Sequence, residues 1–284
     1  MPNWVPFLSI SIISVILLGY TIMRNREKSP QIILFWLFIS GLCYFFEFIV
    51  FIILESYEYN PDILANEYND SIAGSITSQA LAVPVAITSL VVFHLNTRWT
   101  LFIIGLFYMI ETLFLHLNIY EHNWWKSFYT IIFLILAVIL SRIWWRFLHE
   151  QRSQYVNFAT LFFVMMALSE TAGWIFSGLL GLYSLPIPFS SVEMKNNIIG
   201  NGIYLLFATY LYSLIIYFRS RELPFTIMSL VFLLTIEILM VNQGILTLKD
   251  SYYIFILPAV HITMIQAGKY IYHRHFRAFQ TASQ

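Results

Sequence analysis

At 284 residues the chain is long enough for one or two soluble domains, but 59% of it is hydrophobic and only 11% charged, far below the roughly 25% charge of a water-exposed fold. Fifteen basic residues balance fifteen acidic ones, so no concentrated basic face exists for a nucleic-acid partner. A single cysteine, Cys43 within an apolar run, leaves no intrachain disulfide and no multi-thiolate metal site.

A hydrocarbon core about 30 Å thick takes about 20 apolar residues per helix. Nine stretches meet that length, near residues 5–23, 31–54, 75–95, 99–118, 127–147, 156–182, 198–218, 223–245 and 252–272. None alternates apolar and polar residues as barrel strands do, so the spans are predicted to be helices and the fold all-α. The first run lacks a basic segment before it and a small-residue cleavage site after it; Arg24, Arg26 and Lys28 follow it instead. It reads as a retained first span.

With the N-terminus outside, all but Lys126, Lys195 and Lys249 of the fifteen Lys and Arg residues fall on inner loops or the C-terminal tail. The positive-inside rule therefore predicts a multi-pass protein of the cell membrane with a cytoplasmic C-terminus. The outer connection from Glu55 to Ser71 carries Glu55, Glu58, Asp62, Glu67 and Asp70 without one basic residue. It reads as a solvated loop, or as a weak cation-attracting vestibule. Trp124-Trp125 and Trp144-Trp145 at span ends read as interfacial anchors. Pro84 and Pro258 read as kinks that free backbone carbonyls.

Within one polytopic domain, spans two to five and six to nine form a tandem repeat, near 31–147 and 154–272. The stretch WTLFIIGLFYMIETLFLHL (99–117) aligns with FTIMSLVFLLTIEILMVNQ (225–243) at an offset of 126, matching Thr100 to Thr226 and Glu111 to Glu237. Span two aligns with span six at 123, pairing Glu47 with Glu170, and span five with span nine at 124, pairing Tyr129 with Tyr253. Four spans per copy is an even number, so both copies have the same orientation and the repeat is parallel.

Glu47, Glu111, Glu170 and Glu237 each stand inside an apolar span, and an ionised side chain there costs roughly 2.5–3.5 kcal/mol on insertion scales. Arg142, Arg146 and Lys269 stand near the inner ends of their spans, so no Lys or Arg at the depth of these acids offsets that. The four must be protonated, share protons or hold a cation, which makes them the candidate catalytic residues. Tyr44 and Tyr108 lie three residues before Glu47 and Glu111, where they can donate to them. In the second copy Trp174 follows Glu170 by one turn, and Asn242 takes the place of His116. His116 is about 140° around the helix from Glu111, so any Glu–His pair, through His116 or His261, must form between helices. Asn196, Asn197 and Asn201 open span seven, where they read either as lining the same cavity or as a polar helix start. Tyr44, Tyr108, His116, Trp174, Asn201, Asn242 and His261 are thus the candidate binding residues. Tyr44, Phe45, Phe46 and Phe48 around Glu47 make an electron-rich surface suited to positive charge.

The strings FFEF (45–48), YNPD (59–62), YMIET (108–112) and NWW (123–125) resemble those of small five-span bacterial membrane proteins of unknown function, over the first half of the chain. More distantly, tandem repeats with glutamates in aromatic surroundings are similar to the integral-membrane lycopene cyclases and related terpene cyclases. That resemblance implies carboxyls that protonate an isoprenoid, although the consecutive-acid pattern of that family near a proline is absent.

No phosphate loop, diphosphate-binding acid cluster, nucleophile elbow or HExxH is present, and no cofactor is implied. Two functions remain: an intramembrane site that binds or protonates an apolar isoprenoid or lipid, and a proton- or cation-coupled transporter of small molecules. Eleven glycines in 284 residues, against a usual share of about 7%, favour the more rigid bundle of the first. The basic-residue distribution makes a topology test direct: a reporter fused after Gln284 should report the cytoplasm and one at Asn3 the exterior. Both ends on one side would refute nine spans.

Overall fold

A computed structural model describes residues 2–149, 153–219 and 223–275. Among them, nine helices are long and apolar enough to cross a membrane. They are α1 (Trp4–Arg24), α2 (Arg26–Ile53), α3 (Glu67–Val92), α4 (Thr97–His116), α5 (Ser127–Leu148), α6 (Gln154–Leu179), α7 (Glu193–Phe218), α8 (Leu223–Asn242) and α9 (Ser251–Arg274). The chain divides into two compact units, Met1–Val156 and Asn157–Gln284.

In the first unit α3 is the central helix, packed against α1, α2 and α5. Its C-terminal end, Pro84 to Val92, is buried at every position, because its small and β-branched side chains let neighbouring helices close in on all sides. Thr21 of α1 meets Ser89 of α3 through a buried hydroxyl pair at 2.9 Å. Pro84 has no N–H to offer the Ala80 carbonyl one turn earlier. That carbonyl accepts instead from the Trp36 indole N–H (2.9 Å) and the Ser40 hydroxyl (3.2 Å) of α2. The expected freed carbonyl is therefore present, and α2 is tied to it. Pro258, by contrast, stands in α9 two residues past Ile256, where 3₁₀ turns give way to α-turns.

The chain between α2 and α3 is more ordered than a solvated loop. The last turns of α2 widen over Phe48–Ile53, Glu55 takes a left-handed conformation (φ 49°), and β1 (Tyr57–Tyr59) follows. β1 pairs antiparallel with β2 (Tyr120–His122), Tyr57 opposite His122. The alternation Tyr-Glu-Tyr turns both phenols inward and Glu58 outward, as a two-residue period requires. Helix α3 then starts at Glu67, eight residues earlier than the apolar run suggests, because the Asn66 side chain caps it by accepting from the Asn69 N–H at 3.0 Å. The acids of this connection are not all solvated. Asp70 is buried and accepts from the backbone N–H groups of Asp62, Ile63 and Leu64 at 2.7, 2.7 and 2.8 Å.

The second unit is built around α7, which packs against α6, α8 and α9. A widened turn ends α6 at Trp174–Leu179, and β3 (Tyr183–Ser184) pairs antiparallel with β4 (Thr247–Leu248), Tyr183 opposite Leu248. Each of these features lies 126 positions after its counterpart in the first unit. Asn196, 126 after Asp70, accepts from the N–H groups of Phe189 and Ser190 at 3.0 and 2.8 Å. Ser71 accepts from the Tyr59 N–H at 2.8 Å, and Asn197 from the Leu185 N–H at 2.7 Å. Glycine recurs in register for a steric reason. A Cβ on Gly74 would stand 2.5 Å from the Tyr59 Cβ, and one on Gly200 would stand 1.9 Å from the Leu185 carbonyl oxygen.

The tryptophan pairs do not all act as interfacial anchors. Trp125 and Trp145 are buried, Trp125 against Tyr57 with ring centres 5.3 Å apart and Trp145 against Phe35 at 4.8 Å. Aromatic packing inside the unit buries more apolar surface than a position at the headgroups.

The Asp70 loop gives a stability test. Asp70→Ala strands three N–H donors and should lower stability by about 2 kcal/mol, read as a reduced melting midpoint in detergent. Asp70→Asn keeps an oxygen for the Ile63 and Leu64 N–H groups, as Asn196 does for Phe189 and Ser190, but turns an amide N–H toward that of Asp62, so it should lose about 1 kcal/mol; equal losses in both variants would contradict the assignment.

Candidate functional site

Glu47 is buried in α2 one residue before the widened turn. Its carboxylate accepts from the Tyr57 hydroxyl, from the Gln79 amide at 2.8 Å and from the Ser75 hydroxyl at 2.9 Å. The phenol is thus supplied by β1 and not by Tyr44 one turn earlier. Three donors on two oxygens suit an ionised carboxylate, which has only acceptors to offer. Burial first, and the neighbouring Glu47 charge second, push the Tyr57 phenol well above its ordinary range, so Tyr57 remains the donor at any physiological pH.

Glu111 belongs to the narrow buried stripe of α4, with Thr100, Ile104 and Phe114. Its Oε1 is hydrogen-bonded to His122 Nε2 at 2.9 Å. Its Oε2 is buried without a hydrogen-bond partner. The histidine comes from β2. Tyr108, about 60° round the helix from Glu111, is 42% exposed, and His116 is exposed as well. Both are corrected as site residues, because the buried face of α4 is too narrow to include them.

An apolar cavity of about 630 Å³ opens beside this carboxyl, within the first unit. Glu111 shares its polar end with Tyr57, Tyr59, Ser78, Gln79 and Tyr120. Phe107, Phe114, Phe133 and Leu134 line its body, together with Cys43. Phe45, Ile49, Leu136 and Ile139 belong both to its lining and to the exposed apolar surface, so the mouth lies on a face of the kind that hydrocarbon covers.

In the second unit Glu237 is 2% exposed. Its Oε1 takes the Tyr204 hydroxyl at 2.8 Å and His261 Nε2 at 2.8 Å. His261 Nδ1 meets the Tyr212 hydroxyl, and Glu237 Oε2 is buried without a partner. The expected convergence of His261 from another helix therefore takes place, from α9 onto α8. The space here is small, about 30 Å³, between Ser169, Tyr183, Leu185, Tyr204, Glu237 and His261 among others.

The remaining second-copy candidates stand apart from this cluster. Asn242 is exposed at the end of α8. Asn201 accepts from the Tyr183 hydroxyl at 3.1 Å and, with Asn197, serves the chain that leads into α7. Among the described residues, the Trp174 indole N–H and Glu170 Oε1 are buried without hydrogen-bond partners, so the tryptophan does not donate to that acid. Glu170 lies four residues before its widened turn and Glu47 one before. In the 126 register Glu47 stands level with Gly173 and Glu170 with Tyr44; the expected pairing of the two acids is off by a helical turn.

Tyr57, Tyr59, Tyr120, His122, Tyr204 and Tyr212 were not among the sequence candidates. Only the YEH string at 120–122, between two apolar runs, carries a local signal: a histidine in strand alternation near a membrane carboxyl. No family model, curated protein or solved structure matches the chain.

The Glu47 cluster is open to test. Glu47→Gln keeps an acceptor for Tyr57 and Gln79, and the Ser75 hydroxyl can turn to accept from the new amide. Glu47→Ala strands all three donors. We expect the Gln variant to melt near wild type and the Ala variant to lose about 3 kcal/mol; similar midpoints would show that the cluster contributes no stability.

Proposed function

We propose that the first unit binds an apolar, lipid- or isoprenoid-like molecule admitted sideways from the membrane, and that Glu111, held by His122, is the acid that meets it. The observation that carries this reading is the cavity itself: lined mostly by apolar side chains, several of them also on the exposed apolar surface, with the buried Glu111 among its lining. Such a pocket, with few convergent polar groups, is the usual form of a small-molecule site. The imidazole fixes one carboxyl oxygen at the cavity wall, so the acid is held in place for a bound molecule. Glu47, satisfied by its own three donors, positions Tyr57 and Gln79 at the cavity wall.

We further infer that the two units are copies of one module. The common 126 register of turns, ribbons, glycines and loop acceptors supports this, as does the polar link from Thr100 to Arg142 and from Thr226 to Lys269, 2.8 Å in each. Coupled transport is the second reading. It is favoured by the chain Tyr212–His261–Glu237–Tyr204, a hydrogen-bonded series able to hold a proton; pH-dependent uptake abolished by Glu237→Gln would select it.

Apolar material that copurifies with the protein from its own membrane, measured by mass spectrometry, tests the first reading. Glu111→Gln and His122→Ala should each reduce its retention by about tenfold with little change in melting midpoint for the Gln variant, while Glu170→Gln should leave it intact. Full retention in both Glu111→Gln and His122→Ala would defeat the assignment.

A further inference from the structure

The small space in the second unit is the counterpart of the large cavity in the first. Cys43, Tyr57, Tyr59, Ser78, Glu111 and Tyr120 of the cavity become, 126 positions on, Ser169, Tyr183, Leu185, Tyr204, Glu237 and Leu246, and all six line the second space. One of these exchanges changes volume decisively. Where the first unit has Ser78, the second has Tyr204. Its ring packs against the cluster of Leu185, Leu246 and Leu257, and its hydroxyl donates to Glu237 at 2.8 Å.

The first unit shows the same surroundings without that ring. Tyr59 and Tyr120 stand in the places of Leu185 and Leu246, their ring centres 4.8 Å apart. Ser78, hydrogen-bonded to the Tyr59 side chain, lines the cavity where the second unit has the Tyr204 ring. The histidine is conserved in effect though not in position: His122 from β2 holds Glu111 Oε1 as His261 from α9 holds Glu237 Oε1. What Glu111 lacks relative to Glu237 is the phenolic donor.

Building on the cavity reading above, we propose that the first unit takes an amphiphile whose head is a planar ring bearing a hydroxyl, of the phenol or hydroquinone type, on an apolar tail. The hydroxyl donates to Glu111 as the Tyr204 hydroxyl donates to Glu237. The ring lies beside Tyr59 and Tyr120, where offset or edge contacts favour an aromatic partner, and the tail follows the apolar body of the cavity to its mouth. The second unit is the same site closed by a tyrosine of the chain itself.

The experiment uses the purified full chain in detergent and three probes: 4-nonylphenol, its methyl ether 4-nonylanisole, and nonylamine. The readout is the concentration of probe needed to raise the melting midpoint, in wild type, Ser78→Tyr and Glu111→Gln. We expect 4-nonylphenol to act at concentrations about tenfold below 4-nonylanisole in wild type. Glu111→Gln, whose neutral amide oxygen is a weaker acceptor than a carboxylate, should narrow that advantage, and Ser78→Tyr should abolish the response to both. Equal potency of phenol and ether in wild type would overturn the ring-hydroxyl head while leaving an apolar binding cavity in place. A stronger effect of nonylamine would overturn it in favour of a cationic head. No response to any probe would overturn both this proposal and the cavity reading, and an undiminished response in Ser78→Tyr would place the probes elsewhere. Should Ser78→Tyr fail to fold, the comparison of phenol with ether in wild type and Glu111→Gln decides alone.

Discussion

A carboxyl placed inside an apolar helix cannot be satisfied by that helix, whose backbone groups are already paired and whose neighbouring side chains are hydrocarbon. Its partners have to arrive from elsewhere in the chain. Glu47 draws its donors from β1 and α3, Glu111 its imidazole from β2, and Glu237 its phenol and imidazole from α7 and α9. The short antiparallel ribbon of the first unit exists within this constraint: three residues of alternation carry Tyr57 and His122 inward while Glu58 and Glu121 stay at the surface.

The same accounting applies to the backbone. Pro84 leaves the Ala80 carbonyl without its helical partner, and Trp36 and Ser40 of α2 supply two. The turn before α3 leaves amides that Asp70 gathers, and the corresponding turn before α7 leaves amides that Asn196 gathers. Close approach of these turns to the helix that follows leaves no room for a Cβ at Gly74 or Gly200. Satisfied polar groups thereby define where the ribbon, the central helix and the buried acid meet, which is the polar end of the first unit's cavity.

The space beside the carboxyl is about 630 Å³ in the first unit and about 30 Å³ in the second, where Tyr204 stands 126 positions after Ser78. A buried carboxyl bonded to an imidazole is present in each unit, with an open space beside it in the first.

Much of this architecture is legible in the amino-acid order, because crossing a hydrocarbon layer demands about 20 apolar residues whatever the tertiary contacts. The nine long apolar helices among the described residues, the buried acids at 47, 111 and 237, the freed carbonyl below Pro84 and the candidacy of His261 all follow from local composition and spacing. The histidine at Glu111, and the phenols, did not follow. His122 lies 11 residues from Glu111 and Tyr57 lies 10 from Glu47, across turns whose path depends on left-handed residues such as Glu55 and Asn118. Tyr108 and His116 are near Glu111 in sequence yet outside the buried stripe of α4, because that stripe is set by the helices packed against it. Helical periodicity determines which residues share a face; only the packing of one helix on another decides which face is inside.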